Sequence, residues 1–195
     1  MRTAGRSCDG RRRARCELPG SSARARVAGL AAVTLGTRSG AQVIAVASSA
    51  EKRAAAQKAG ATLCIDPASE GWEKSVQADV VFDPVGGEVS STAWRALKPG
   101  GRWLVIGFAG GAIPRLPANR LLLREVELIG VRAGEQARRI PAAAKALDHG
   151  MKEWLVGSEG SRPLIARVYR LDEAAAALRQ LADRKTAGKL VLQPR

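Results

Sequence analysis

Histidine is almost absent from this chain: its 195 residues hold one, His149. A catalytic zinc needs a set of Cys and His ligands with one position left open. One histidine and three cysteines, Cys8, Cys16 and Cys64, none in a C-x-x-C pair, offer no such cluster, so no metal is expected. The pair His149 and Gly150 reads instead as a helix end. An odd, unframed cysteine count also argues against a disulfide scaffold and for a reducing compartment. Cys64, inside the apolar stretch 62–65, reads as a buried, inert thiol. No apolar run approaches the ~18 residues of a bilayer span, and the start lacks the apolar core of a secretory signal. A cytoplasmic location is expected. The alternative is the mitochondrial matrix, because residues 1–28 are rich in Arg and Ser and poor in acids.

What is present is charge. The net charge is +14, with 46% hydrophobic residues. Residues 1–28 hold eight Arg against Asp9 and Glu17, so much of the surplus sits in one stretch without a core pattern, read as disordered. Aromatics make up 4% of the chain, and none interleaves with Arg11, Arg12 and Arg13. Nonspecific, salt-sensitive attraction to nucleic acid is therefore an alternative role for this segment, and specific recognition is not expected. Beyond it both signs mix, as on a solvated surface.

From residue 29 the texture becomes periodic. Residues 29–38 suit a helix with Leu30, Val33 and Leu35 as its buried stripe, stopped by Gly40. The run 42–47 suits a buried parallel strand. Residues 50–59 suit a helix capped by Ser49 and ended by Gly60. Short strands follow at 62–65, 79–82, 102–107 and 126–131, with a turn at 83–87, a helix at 88–97, a tight connection at 99–101 and a mainly helical stretch at 136–155. Strands alternating with helices at this spacing predict a parallel α/β sheet covered on both faces, joined by right-handed crossovers. A strand at 164–169, a helix from Leu171 capped by Asp172, and a strand at 188–192 add a strand–helix–strand tail.

In a dinucleotide-binding unit the tip of the second strand distinguishes the two nicotinamide cofactors. An acid there bonds the ribose 2′-OH of NAD, whereas a neutral or basic tip accepts the 2′-phosphate of NADP. Here the strand ends in Ser48 and Ser49, with Lys52 and Arg53 close behind and no acid at the tip. Two hydroxyls and a lysine near a helix N-terminus suit a phosphate. The same residues equally suit a plain helix cap beside a solvated lysine.

The runs VIAVASSAEKRAAAQKAGATLCID (43–66), ADVVFDPVGG (78–87), ALKPGGRWLVIGFAGG (96–111), IPRLPANRLLLREVELIGVRAGE (113–135) and RKTAGKLVL (184–192) stand in an order and spacing that resemble the NADPH-binding domain of zinc-free quinone oxidoreductases. These belong to the medium-chain dehydrogenase/reductase superfamily. The resemblance implies a Rossmann-like, doubly wound sheet and a hydride transfer from NADPH to a quinone or a related enone or carbonyl acceptor. It also implies roles by position. Ser48, Ser49 and Lys52 would hold the 2′-phosphate, and Val85 and Gly86 would line the cofactor. Gly107, Phe108 and Ala109 would pass near the nicotinamide, and Lys189 would approach the cofactor from the terminal run. No catalytic residue is implied, and Asp83, beside the cofactor turn, has no geometry that makes it a base.

Two departures qualify this. The family opens the domain with an apolar strand and a loop of the A-x-G-G-V-G type, which brings backbone N–H groups to the pyrophosphate. In the stretch 21–29 only Gly29 matches, so the first strand and the glycine loop are expected to be missing. The family's N-terminal substrate domain is likewise expected to be missing. The expected organisation is a disordered Arg-rich segment at 1–28, a partial Rossmann domain at 29–160 and a segment at 161–195 that completes the substrate domain in the family. Leu164, Ile165, Leu190 and Val191 would then expose an apolar surface. Activity of this chain alone is expected to be impaired or lost. The alternative is a non-catalytic nucleotide-binding or dimerisation module, pairing as a homodimer through the 126–131 strand and the apolar stretch 116–123. No membrane partner is expected.

Overall fold

The structure, a computed structural model, describes residues 21–23, 27–156, 163–183 and 186–194. Six parallel strands form the main sheet: β1 (Ser21–Ala23), β2 (Val43–Val46), β3 (Leu63–Ile65), β4 (Ala78–Asp83), β5 (Leu97–Val105) and β6 (Glu127–Gly130), in the spatial order β3-β2-β1-β4-β5-β6. The order reverses between β1 and β4, which is the switch point of a doubly wound sheet. Helices α1 (Val27–Arg38), α2 (Ala50–Lys58), α3 (Gly87–Ala93), α4 (Ala118–Arg124), α5 (Ala133–Arg139) and α6 (Pro141–Val156) connect or follow the strands.

The sheet has two buried faces because alternate residues of a strand point to opposite sides. On β2, Val43 and Ala45 pack with Leu30 and Val33 of α1 and Ala55 and Ala56 of α2. Ile44 and Val46 face the other side, toward the cluster of Trp72, Val81, Leu97 and Trp103. A strand buried on both sides reads as an unbroken apolar run, which is why 42–47 is legible as one. Helix α2 begins where the Ser49 hydroxyl accepts the Lys52 backbone N–H at 3.3 Å. Gly40 and Gly60, at φ +80° and +104°, let the chain leave α1 and α2 as expected. In β5 the four residues 98–101 bulge opposite Asp79, since Leu97 pairs with Ala78 and Arg102 with Val80. The Lys98 ammonium closes that bulge onto the Asp79 carboxylate at 3.0 Å.

Several expectations change. The first strand is present: β1 lies at the centre, its residues Ser21, Ser22 and Ala23 level with Val43, Ile44 and Ala45 on one side and Val80, Val81 and Phe82 on the other. A ladder uses backbone N–H and C=O groups that every non-proline residue carries, so Ser-Ser-Ala serves where the sequence reading sought an apolar run. Strand β1 and the start of α1 thus lie within the stretch expected to be disordered. The rest of that stretch, residues 1–20 and 24–26, lies outside the described residues. Leu35 is half exposed, because the inward stripe of α1 runs through Gly29, Leu30, Val33 and Gly36. The helical stretch 136–155 breaks at Ile140, the residue before Pro141, where proline disfavours helical backbone. His149 sits within α6, exposed and 3.3 Å from Glu153, rather than at a helix end.

The tail forms its own parallel pair, β7 (Ile165–Arg170) and β8 (Lys189–Gln193), joined through a 3-10 turn (Leu171–Glu173) and α7 (Ala174–Ala182). Asp172 is not the cap. The Glu173 carboxylate accepts the Arg170 N–H, while Asp172 pairs with the Arg170 guanidinium. Leu164 and Ile165 are exposed as expected, whereas Leu190 and Val191 are half-buried. Ala187 joins the core cluster on the α1 face, tying the tail to the main sheet.

Candidate functional site

Because all six strands run parallel, their C-terminal ends share one edge of the sheet. Ala23, Ala45 and Phe82 lie level across the switch point, so the chain leaves β1, β2 and β4 side by side. Ligands of open α/β sheets bind outside these ends. Gly29 is buried in the first turn of α1, and the loop before it, 24–26, lies outside the described residues.

At the β4 tip the chain turns through Asp83, Pro84, Val85, Gly86 and Gly87 into α3. Asp83 is buried, and one of its carboxylate oxygens accepts both the Val85 and Gly86 N–H groups at 3.0 Å. It is therefore a brace of the turn. Gly86 sits at φ 69°, ψ −158°, a conformation nearly reserved to glycine. A Cβ there would meet the Ala112 carbonyl oxygen at 2.7 Å and the Phe108 ring at 3.0 Å.

The loop after β5 is stitched to this turn by main-chain bonds. Ile106 and Gly107 donate to the Asp83 carbonyl, Ala109 to Pro84 and Gly110 to Val85, and Gly87 donates back to Ala112. Five of the predicted residues, Val85, Gly86, Gly107, Phe108 and Ala109, are thus brought together in one double loop. Phe108 is exposed on it. Beneath the turn lies a narrow cavity lined by Val46, Trp72, Asp83 and Ser90, where the buried Ser90 hydroxyl has no hydrogen-bond partner among the described residues.

At the β2 tip, Ser48 is exposed and Ser49 partly so. The Ser49 oxygen accepts the cap bond, which leaves its proton for an outside acceptor. Arg53, whose side chain is only a quarter exposed, reaches back across the tip. Its Nη1 donates to the Ala47 carbonyl at 2.9 Å and to the Asp66 carboxylate at 2.8 Å. Cys64 lies alongside, its Sγ donating to the Arg53 carbonyl. Burial pushes the Cys64 thiol above its ordinary pKa, and the Arg53 guanidinium pulls it back in part. Lys189 opens β8, and no described contact joins it to these loops.

Among the described residues no group of three or more His, Cys, Asp or Glu side chains is placed to hold a metal ion. The donor set at the β2 tip, two hydroxyls with Lys52 and Arg53, does fit an anionic phosphate. No helix among the described residues is long and apolar enough to cross a membrane.

The family described as zinc-binding dehydrogenase matches residues 28–149. Quinone oxidoreductase-like protein 2 of Bos taurus is 33% identical over 190 residues, covering 91% of this chain and 54% of the relative. The 2-haloacrylate reductase of a Burkholderia species is 29% identical over 80% of this chain and 49% of its own length. The chain thus spans about half the length of these curated relatives. Among solved structures, the quinone oxidoreductase from Thermus thermophilus, also determined in complex with NADPH, superposes with a TM-score of 0.76 at 30% identity over 91% of this chain and 59% of that one. The quinone oxidoreductase of Pseudomonas syringae gives 0.74 at 26% identity, over 90% and 57%. By sequence and by fold, this chain belongs to the zinc-binding dehydrogenase family.

Proposed function

We propose that this chain is the nucleotide-binding half of an NADPH-dependent reductase whose acceptor is a quinone or a related enone or carbonyl. The observation that carries the reading is the β2 tip. It presents Ser48, Ser49 and Lys52, with no acid at the end of the strand itself, across the switch point from the stitched loops of β4 and β5. When bound, NADPH supplies the hydride. The residues around it orient and shield, and need not form covalent intermediates. The serine hydroxyls and Lys52 hold the 2′-phosphate end. The braced turn at Val85 and Gly86 and the small residues Gly107 and Ala109 leave room for a flat ring to lie against backbone. The family's description names zinc, and among the described residues no group of three or more His, Cys, Asp or Glu side chains is placed to hold it.

Titration of the purified chain with NADPH, followed by cofactor fluorescence with NADH as control, tests this. Saturable binding that favours NADPH and reverses toward NADH in Ser49→Asp supports the reading. No binding at about millimolar cofactor, the upper end of working concentrations, sinks it.

A second reading concerns assembly. Strand β6 closes one edge of the sheet, and Leu128 on it, with Leu122 and Leu123 of α4, is exposed at 47%, 79% and 77%. An open strand edge beside exposed leucines is a template for pairing with a second copy. Light scattering over a concentration series should show a dimer, and a strict monomer would rule it out.

A further inference from the structure

Three hydroxyl residues stand in a row on α3, and the helix satisfies two of them. The Ser91 hydroxyl donates to the Gly87 carbonyl at 3.4 Å and the Thr92 hydroxyl to the Glu88 carbonyl at 3.3 Å, each one turn back. Ser90, the buried one of the three at 2% exposure, makes no hydrogen bond among the described residues. Native cores rarely keep such a group unpaired. Asp83 has the matching deficit. It is buried, one of its oxygens accepts the Val85 and Gly86 N–H groups, and among the described residues the other accepts no hydrogen bond. Both residues line one narrow cavity of about 20 Å³, whose other walls, Val46, Trp72, Val89 and Ala93 among them, are apolar. We propose that this cavity is a binding site for one water molecule, which accepts the Ser90 O–H and donates to the second oxygen of Asp83, and that Ser90 is thereby a positioning residue for the turn at Val85 and Gly86.

Size and polarity both select water. A cavity of this volume admits about one water and nothing larger. A carboxylate only accepts and a hydroxyl can donate, so the molecule between them must do both, as water does. Within apolar walls a water stays only where it finds two or more polar partners, and these two groups supply them. The bridge fixes the second oxygen of the carboxylate whose first oxygen holds the turn. Ser90 belongs to the helix into which that turn leads, so the water ties the start of α3 back to the tip of β4. The water site stands on this geometry alone. Its consequence for a bound nucleotide rests on the reading above, that the turn lines the cofactor.

Denaturant unfolding of the full 195-residue chain tests the role of Ser90. Ser91→Ala, at an exposed site on the same helix, sets the baseline for the gain in helix propensity. Against it, Ser90→Ala should raise the unfolding constant about fivefold, the worth of one net hydrogen bond. A dry cavity gives the opposite sign, because the substitution then removes an unpaired buried hydroxyl, and a lowered unfolding constant would overturn the proposal. In an Asp83→Ala background the water has lost its second anchor, so the effect of Ser90→Ala should shrink to about twofold or less. The full effect in both backgrounds would make Ser90 an ordinary core contact and overturn its positioning role. If the doubly substituted chain does not fold, a crystal structure of the wild type decides. A solvent peak within hydrogen-bond reach of both Ser90 Oγ and the Asp83 carboxylate is expected, and clear density for both side chains with no peak between them would overturn the site. A wild type that holds this water yet shows no saturable NADPH binding would sink the nucleotide reading and leave the water site standing.

Discussion

At the tips of β4 and β5, five main-chain hydrogen bonds tie loop to loop, whereas at the tips of β2 and β3 a single main-chain bond, from the Ala47 N–H to the Ile65 carbonyl, is supplemented by ties through the side chains of Ser49, Arg53 and Asp66. The first arrangement depends on backbone conformation and tolerates almost any side chain that fits, except where glycine is required. The second depends on a few functional groups and is open to retuning by single substitutions. A nucleotide spanning both ends would meet a rigid wall at one and an adjustable charge pattern at the other.

Substitutions at the two ends should therefore differ in kind. The largest effect is expected from Gly86→Ala. A Cβ in that backbone region, pressed on the Ala112 carbonyl, should cost about 3 kcal/mol or more, read as a large drop in the unfolding midpoint. A change below the measurement error would mean that the stitched loops yield easily. Asp83→Ala comes next. It strips the Val85 and Gly86 N–H groups of their buried acceptor, at about 2–4 kcal/mol by denaturant unfolding, with Asp83→Asn milder because one acceptor oxygen remains. At the other end, Ser49→Ala removes a helix cap worth about 1 kcal/mol. It should weaken NADPH more than NADH, and a purely structural cap would weaken both alike.

The smallest effect concerns Cys64 and requires no unfolding. In a Cys8→Ser/Cys16→Ser background, the rate of alkylation by iodoacetamide follows the thiolate. Burial holds the Cys64 pKa above its ordinary value, so the rate should rise only at higher pH than for an exposed thiol. Arg53 opposes that shift, so Arg53→Gln should move the profile further up. A profile unmoved by the substitution would mean that the guanidinium does not lie beside the sulfur.

The parts of the fold that read easily are those written in side-chain pattern. The apolar run at 42–47, the Ser49 cap, and Gly40 and Gly60 each announce one local conformation, and each is found in place. Val85, Gly86, Gly107, Phe108 and Ala109 are singled out by family resemblance alone, and the structure brings them into one double loop. The stitching that unites them is not, because backbone bonds between distant loops leave no mark in composition. Asp83 stands out in the sequence without a role, since its role lies in two N–H groups beyond it. The Arg53–Asp66 pair joins residues whose proximity depends on β2 and β3 lying side by side. Strand β1 escapes a reading by pattern altogether, because Ser-Ser-Ala has no apolar signature.

That short strand has a dynamic consequence. On either side of β1 stand β2 with β3, and β4 with β5 and β6, and the ladder between the two groups passes through three residues. Local opening of a ladder this short needs few bonds to break. Amide protons of Ser22 and Ala23 should then exchange with deuterium faster than those of Val80 and Val81, and each flank should retain its own protection after β1 has opened. The sheet would behave as two leaves sharing a narrow spine, and a ligand bound across the switch point would slow exchange most at that spine.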